Sequence, residues 1–247
     1  MPFQSAVRRY NAPGVKGGWA SANPHASLLQ SNNGDLGETA SPIAIWMVGA
    51  AGVIVGQFAF ADTVTGQVTS AAPAGVITSP TVAGTVRVGF VQRDQFALIT
   101  PYMAGAGVTL FQGQPVTLLA AGDVWAQFAA GAAQGQFVFA SYADGSAIAG
   151  ATATPPVAAA TTVTNTSGQP TLTVTSGPVP AVGAPITGTG VPANTRVITV
   201  AGNVVTMSAN STANVTSIVA ETGFLTRWRV ASVAAAGEIA KITTQGN

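Results

Sequence analysis

Val53-Ile54-Val55-Gly56-Gln57-Phe58-Ala59-Phe60-Ala61-Asp62 decides how this chain folds, because it closes a 23-residue uncharged run that begins at Thr39. The run invites a membrane-spanning helix: Ile43 to Val55 is strongly apolar, and Gly52 and Gly56 form a G-x-x-x-G. Its end reads differently. Phe58 and Phe60 alternate with Ala59 and Ala61 before Asp62, a period of two that puts the large side chains on one face of a strand. Gln57 interrupts the apolar stretch, Pro42 and the glycines weaken a helix, and no Lys or Arg flanks either end to orient a span. Two strands joined at Gly49-Ala50-Ala51-Gly52 account for it better, and no membrane contact is expected.

Outward from this stretch the same texture continues as short β-type runs between Gly, Pro and Asp breaks. The candidates are Ile43–Val48, Val53–Ala61, Gly75–Ile77, Thr85–Arg93, Gln95–Ile99, Val108–Leu110, Pro115–Leu119, Asp123–Phe128 and Gln136–Tyr142. Spaced at roughly 8–12 residues, such runs are the signature of a barrel or sandwich. Alanine-rich Phe128–Ala133 and Val230–Gly237 could tempt a helix assignment, but Gly131 and Gly237 limit both to short pieces at most. Residues 1–42 hold Pro13, Gly14, Gly17, Gly18, Pro24, Asn32, Asn33 and Gly34 without a sustained period, so they read as an extended arm. The arm carries Phe3, Tyr10, Trp19, Leu28 and Leu29, so it either docks on a partner or wraps its own domain.

Composition shifts near Gly150. Residues 151–219 contain one charge, Arg196, and no aromatic residue. Their strands are Thr171–Thr175, Pro185–Thr187, Arg196–Val200, Val204–Ser208 and Val215–Val219, with Ala201-Gly202-Asn203 turning a hairpin. Aromatic and charged residues return with Phe224, Arg227, Trp228, Arg229, Glu238 and Lys241. A 28-residue C-terminal piece is too short to fold alone. The expected organisation is therefore an all-β fold. It has an extended N-terminal arm (1–42), a β-barrel or jelly-roll-like body (43–150 plus 220–247), and an inserted β-sandwich-like module (151–219).

Only 7% of the 247 residues are charged, with nine basic against eight acidic side chains, so the chain has no electrostatic footprint for nucleic acid or anionic lipid. Zero cysteines exclude disulfides, thiolate metal sites and Cys nucleophiles. The N-terminal Met-Pro-Phe-Gln-Ser-Ala-Val-Arg-Arg-Tyr has no apolar core for a secretion signal. His25, the one histidine, lies in an Asn-Pro-His turn and the sequence has no G-x-S-x-G elbow, which argues against a catalytic triad. Asp94, Asp123 and Asp144 could in principle form a glycosidase pair, but each sits at a strand end where Asp ordinarily shapes turns. No P-loop lysine follows the glycine-rich stretches, and no carboxylate or histidine cluster has metal-ligand spacing. Arg227-Trp228-Arg229 on a strand places both arginines on one face and the indole on the other. No catalytic residue, cofactor or metal is expected.

Three segments carry a resemblance: Ala20-Ser-Ala-Asn-Pro24, Val53 to Asp62, and Trp228-Arg-Val-Ala-Ser-Val-Ala-Ala-Ala-Gly-Glu-Ile-Ala-Lys-Ile-Thr243. Together they resemble the head decoration, or cement, proteins of tailed bacteriophages over roughly residues 1–145 and 222–247. Ile186-Thr-Gly-Thr-Gly-Val-Pro192 resembles a small β-module found in many phage structural proteins. The resemblance implies a non-enzymatic protein on the outer surface of a virion capsid, made in the host cytoplasm. Its partners would be the major capsid protein and neighbouring copies of itself as a homo-dimer or homo-trimer, with the shell stabilised against DNA pressure. A tail or fibre subunit, or an adhesin module, is the alternative. The arm residues expected to touch the capsid or a neighbour are Phe3, Arg8, Arg9, Tyr10, Trp19, Asn23, Pro24 and His25. On this reading, removal of residues 1–30 leaves a folded body that no longer stays on the shell.

Overall fold

A computed structural model of the chain describes residues 16–18, 20, 26–27, 46–74, 77–78, 86–92 and 109–245. The first strands are β1 (Ala26–Ser27), β2 (Trp46–Val48), β3 (Val53–Ile54), β4 (Phe58–Asp62), β5 (Gln67–Thr69), β6 (Ile77–Thr78) and β7 (Val86–Val91). After them come β8 (Thr109–Leu110), β9 (Pro115–Val116), β10 (Leu118–Ala121), β11 (Asp123–Gln127), β12 (Phe137–Ser141) and β13 (Ala147–Gly150). Six strands follow: β14 (Thr161–Thr164), β15 (Thr171–Ser176), β16 (Ile186–Thr187), β17 (Val197–Ala201), β18 (Val204–Met207) and β19 (Ser217–Ala220). The chain ends on β20 (Gly223–Val230) and β21 (Ile239–Thr243). The fold is all-β as expected, and no helix occurs among the described residues; both alanine-rich stretches are turns and extended backbone.

The decisive alternation holds in three dimensions. Phe58 and Phe60 of β4 face one apolar cluster, with Val88 and Phe90 of β7 and Leu119 of β10. Ala59 and Ala61 face a second, with Trp46, Val48, Val68, Val91 and Leu118. Small residues on one face let that side close tightly, while the phenylalanines on the other each contribute about 2–3 kcal/mol of burial. Phe58 meets Phe90 edge-on at 5.3 Å between ring centres, Phe90 meets Trp228 at 5.9 Å, and Phe60 stacks on Tyr142 at 6.4 Å. Gly49 to Gly52 does turn the chain between β2 and β3, closed by a Gly52 N–H to Gly49 carbonyl bond. These two strands do not pair with each other, however: β2 lies between β5 and β9, and β3 pairs with β8.

The sheets curl onto themselves. The first runs β1-β10-β7-β4-β5-β2-β9; its end strand β9 and β10, next to the other end, are successive parts of one extended segment, so the sheet nearly closes. Gly122, at φ 136°, carries that segment into β11, the edge of a second sheet ordered β11-β21-β20-β12-β13. A bridge from Phe128, just past β11, to Ala147 of β13 joins the two edges of this sheet. The third sheet, β16-β19-β14-β15-β18-β17, has its edges joined by a bridge from Pro185 to Arg196. It encloses its own cluster of Val163, Leu172, Ile186, Val197, Val205, Met207 and Ile218. The expected hairpin at Ala201-Gly202-Asn203 is present, with Ala201 opposite Val204 and Gly202 at φ 59°. Strands β13 and β14 were not expected, because Ala-Ile-Ala-Gly and Thr-Thr-Val-Thr offer little polar contrast. The candidate strand Gln95–Ile99 lies outside the described residues.

Two backbone hydrogen bonds tie the two body sheets together. The Phe58 N–H donates to the Gly145 carbonyl at 2.8 Å, and the Ala72 N–H donates to the Tyr142 carbonyl at 2.8 Å. Gly145 has φ 72°, and a Cβ there would overlap the Phe58 carbonyl. Only glycine meets both requirements. Gly145→Ala is expected to cost about 2 kcal/mol or more, a fall in Tm of roughly 4–8 °C for a domain of this size. Gly135→Ala, also at positive φ but facing open space, is expected to cost only about 1 kcal/mol. Thermal melts of the two variants check the difference.

Candidate functional site

All eight arm residues singled out above, Phe3, Arg8, Arg9, Tyr10, Trp19, Asn23, Pro24 and His25, lie outside the described residues. What is described of the arm is its root, which lies on the chain's own body. Gly17 donates to the Trp125 carbonyl at 2.9 Å, Trp125 donates to Gly18 at 3.1 Å, and Ala20 donates to Asp123 at 2.9 Å, which covers the edge of β11. Strand β1 pairs with β10, Ala26 opposite Ala121. Gly17 approaches Gly56 so closely that a Cβ on it would contact Val55 and the Gly56 amide. Lys16 faces Asp144; burial pulls its ammonium below the ordinary range and the carboxylate only partly restores it. For residues 16–18, 20 and 26–27 the arm therefore wraps its own domain. Removing residues 1–30 would take away the contacts along the β11 edge and strand β1.

Two of the carboxylates considered for catalysis, Asp144 and Asp123, are held in contacts within the chain. Asp144 shapes the β12–β13 turn, accepting from the Ser146 amide at 3.1 Å and the Ser146 hydroxyl at 2.8 Å. Burial raises its pKa, but bonds from Ser141 and Ser146 together with Lys16 more than offset this and leave it below the ordinary value. Asp123 does not make a turn. It is buried at the start of β11 and paired with Lys241 at 2.8 Å, and removing one member of such a pair costs roughly 3–5 kcal/mol. Asp94 lies outside the described residues. A small cleft of about 10 Å³, lined by Phe58, Val88, Arg227 and Trp228, is at the lower size limit for a single water. An open groove on the third sheet is lined by Thr164, Asn165, Thr166, Gln169, Thr171 and Thr173, and neither space contains a carboxylate.

Two features escaped the sequence. The first joins the third sheet to the body. Val157 bridges Glu221, Ala158 donates to Ala220 at 2.8 Å and Thr222 donates to Pro156 at 2.7 Å, so the outgoing and returning segments are zipped together. Beside them the buried Tyr142 hydroxyl bonds to Arg196 and Glu221, and Arg196 reaches the Gly183 carbonyl at 3.2 Å. Ala184 packs into the body cluster. No spacing could have joined Tyr142 to residues 54 and 79 positions away. The second feature is Phe137, whose ring lies 3.3 Å beneath the Arg229 guanidinium. The Arg-Trp-Arg face itself was legible: Arg227 and Arg229 are exposed and Trp228 is buried.

Burial and the Glu221 charge push the Tyr142 phenol up to about 12. A raised folded-state pKa leaves its stabilisation complete below the ordinary value of about 10, and the stabilisation is lost as pH rises from there through about 12. Tm is therefore expected to fall more steeply above pH 10 in the natural protein than in Tyr142→Phe; parallel slopes in thermal melts from pH 9 to 11.5 would contradict this.

A family model described as XM1 gp53 minor capsid protein matches residues 3–171, from the arm to the first residue of β15. No curated protein matches the chain.

Proposed function

The chain belongs to the XM1 gp53 minor capsid protein family, and from that premise we propose that this phage virion structural protein is a non-enzymatic cement. It sits on the outer surface of the capsid, spans neighbouring major capsid proteins and stabilises the shell against the pressure of packaged DNA. The family match over the arm and body carries the reading. The charge-poor surface supports it, since little charge has to be desolvated when such an interface closes. Affinity per copy can be modest, because many copies on a lattice act together.

In this reading the chain divides into the arm (1–42), a discontinuous body (43–150 plus 220–247) and an inserted module (151–219). The pairing of β20 with β12 and of β21 with β11 supports a body that resumes after the module, as does the separate apolar cluster of the third sheet. Because Gly17, Gly18, Ala20 and Ala26–Ser27 contact the body, the reach toward the shell or a neighbouring copy is assigned to residues 1–15, with Phe3, Arg8, Arg9 and Tyr10. Trp19, Asn23, Pro24 and His25 contact the partner at the arm's base, and neighbouring copies associate as a dimer or trimer.

Purified shells lacking the protein are expected to bind it in co-sedimentation and then to withstand heat and low salt better than bare shells. Equal resistance with and without it would sink the cement reading. Deleting residues 1–15 is expected to reduce shell binding at least tenfold while leaving Tm within about 3 °C. Removing 152–219 and joining the ends is expected to leave a cooperative melting transition; its loss counts against an insertion.

A further inference from the structure

The distribution of charge among the described residues is uneven in a way that names a partner. Every described carboxylate is engaged within the chain. Asp62 caps the Val64–Thr65 turn, Asp123 pairs with Lys241, and Asp144 holds Ser146 and faces Lys16. Glu221 meets Tyr142 and Arg196, and Glu238 accepts from the Ala235 amide. Three cations are thereby matched: Lys16, Arg196 and Lys241. Arg87 is buried in β7. Arg227 and Arg229 stand apart, both exposed on β20 and with no carboxylate partner among the described residues.

Their setting is prepared. Arg229 is stacked on Phe137 and tied to the Gly135 carbonyl at 3.3 Å, so one guanidinium is held in place before any partner arrives. A fixed, planar, multiply donating group on an aromatic platform loses little entropy when it binds a carboxylate. Arg227 lies two residues before it on β20, exposed like Arg229, where the register between β12 and β20 is irregular. Between them Trp228 points inward, fully buried, and anchors the strand.

We propose that this face of β20 and β12 is a docking surface for a different protein that presents a pair of carboxylates at matching spacing. A second copy offers little spare counter-charge: of its described carboxylates only Asp144 and Glu238 are exposed, and each already accepts an internal hydrogen bond. Nucleic acid fits less well, because two cations amid uncharged residues make a small footprint for a phosphate backbone. The partner is an acidic patch on the shell, which rests on the capsid-binding function proposed above.

The test uses the full-length protein and purified shells lacking it, in co-sedimentation at 50 and 300 mM NaCl, with duplex DNA as a parallel ligand. Natural protein is expected to lose shell affinity as salt rises. R227Q/R229Q is expected to bind at least tenfold more weakly at low salt and to show little salt dependence. R227K/R229K is expected to recover part of the binding through charge alone. R227Q, which removes no internal hydrogen bond, is expected to show an intermediate loss with Tm unchanged, and separates docking from folding. Undiminished binding of R227Q/R229Q to shells overturns the docking face but leaves the proposed function standing. Absence of shell binding by the natural protein overturns the function itself. Arginine-dependent binding to duplex DNA with none to shells assigns the face to nucleic acid and overturns the proposal.

Discussion

A β protein with very little surface charge has poor electrostatic means of keeping its strand edges from pairing with other chains. Backbone closure takes over that task here, and the architecture follows from it. The segment from Pro115 to Phe128 is the main device: its first half supplies the end strand β9 and the strand β10 near the opposite end of one sheet, and its second half forms an edge of the next. Where a sheet would still be open, a single bridge completes it, Phe128 to Ala147 in one case and Pro185 to Arg196 in the other. The root of the arm then covers the β11 edge and extends the first sheet through β1. The arm is thus partly a structural strip that seals its own domain.

Charges are placed by the same economy. Of the few acidic residues described, Asp62 and Asp144 shape turns, Asp123 is sunk in a strand pair, and Glu221 sits at the junction with the third sheet. A carboxylate used this way gives up hydration for geometry, which is tolerable only when the bonds to it are complete. The surface that remains is largely Thr, Ser, Gln and Ala. In the company of a minor capsid family, that surface is suited to close packing in an assembled particle.

The sequence showed the strands wherever side chains alternate strongly in size or polarity. Phe58 to Asp62, the Ala201-Gly202-Asn203 hairpin and the Arg227-Trp228-Arg229 face were all readable because each carries its signal within a few residues. Strands β13 and β14 were not, since Ala, Gly and Thr look alike on both faces. Long-range choices were hidden as well: the parallel pairing of β2 with β5, the closing bridges and the meeting of Tyr142 with Arg196 and Glu221 depend on tertiary geometry. The arginine face was visible as a pattern. Its lack of internal counter-charge emerged only once the described carboxylates were located.

The zipped crossing at residues 156–158 and 220–222 has a mechanical consequence. A pull on the third sheet away from the body travels down two covalent strands at once, so the hydrogen bonds between them run across the load and need not carry it. The tension enters the second sheet through β13 and β20, which flank β12 on either side and are bonded to it at Phe139 opposite Ile148 and Leu225. Force applied to the third sheet is therefore spread over both sides of a central strand. An appendage hung from a chain terminus would concentrate the same force on one edge and peel it.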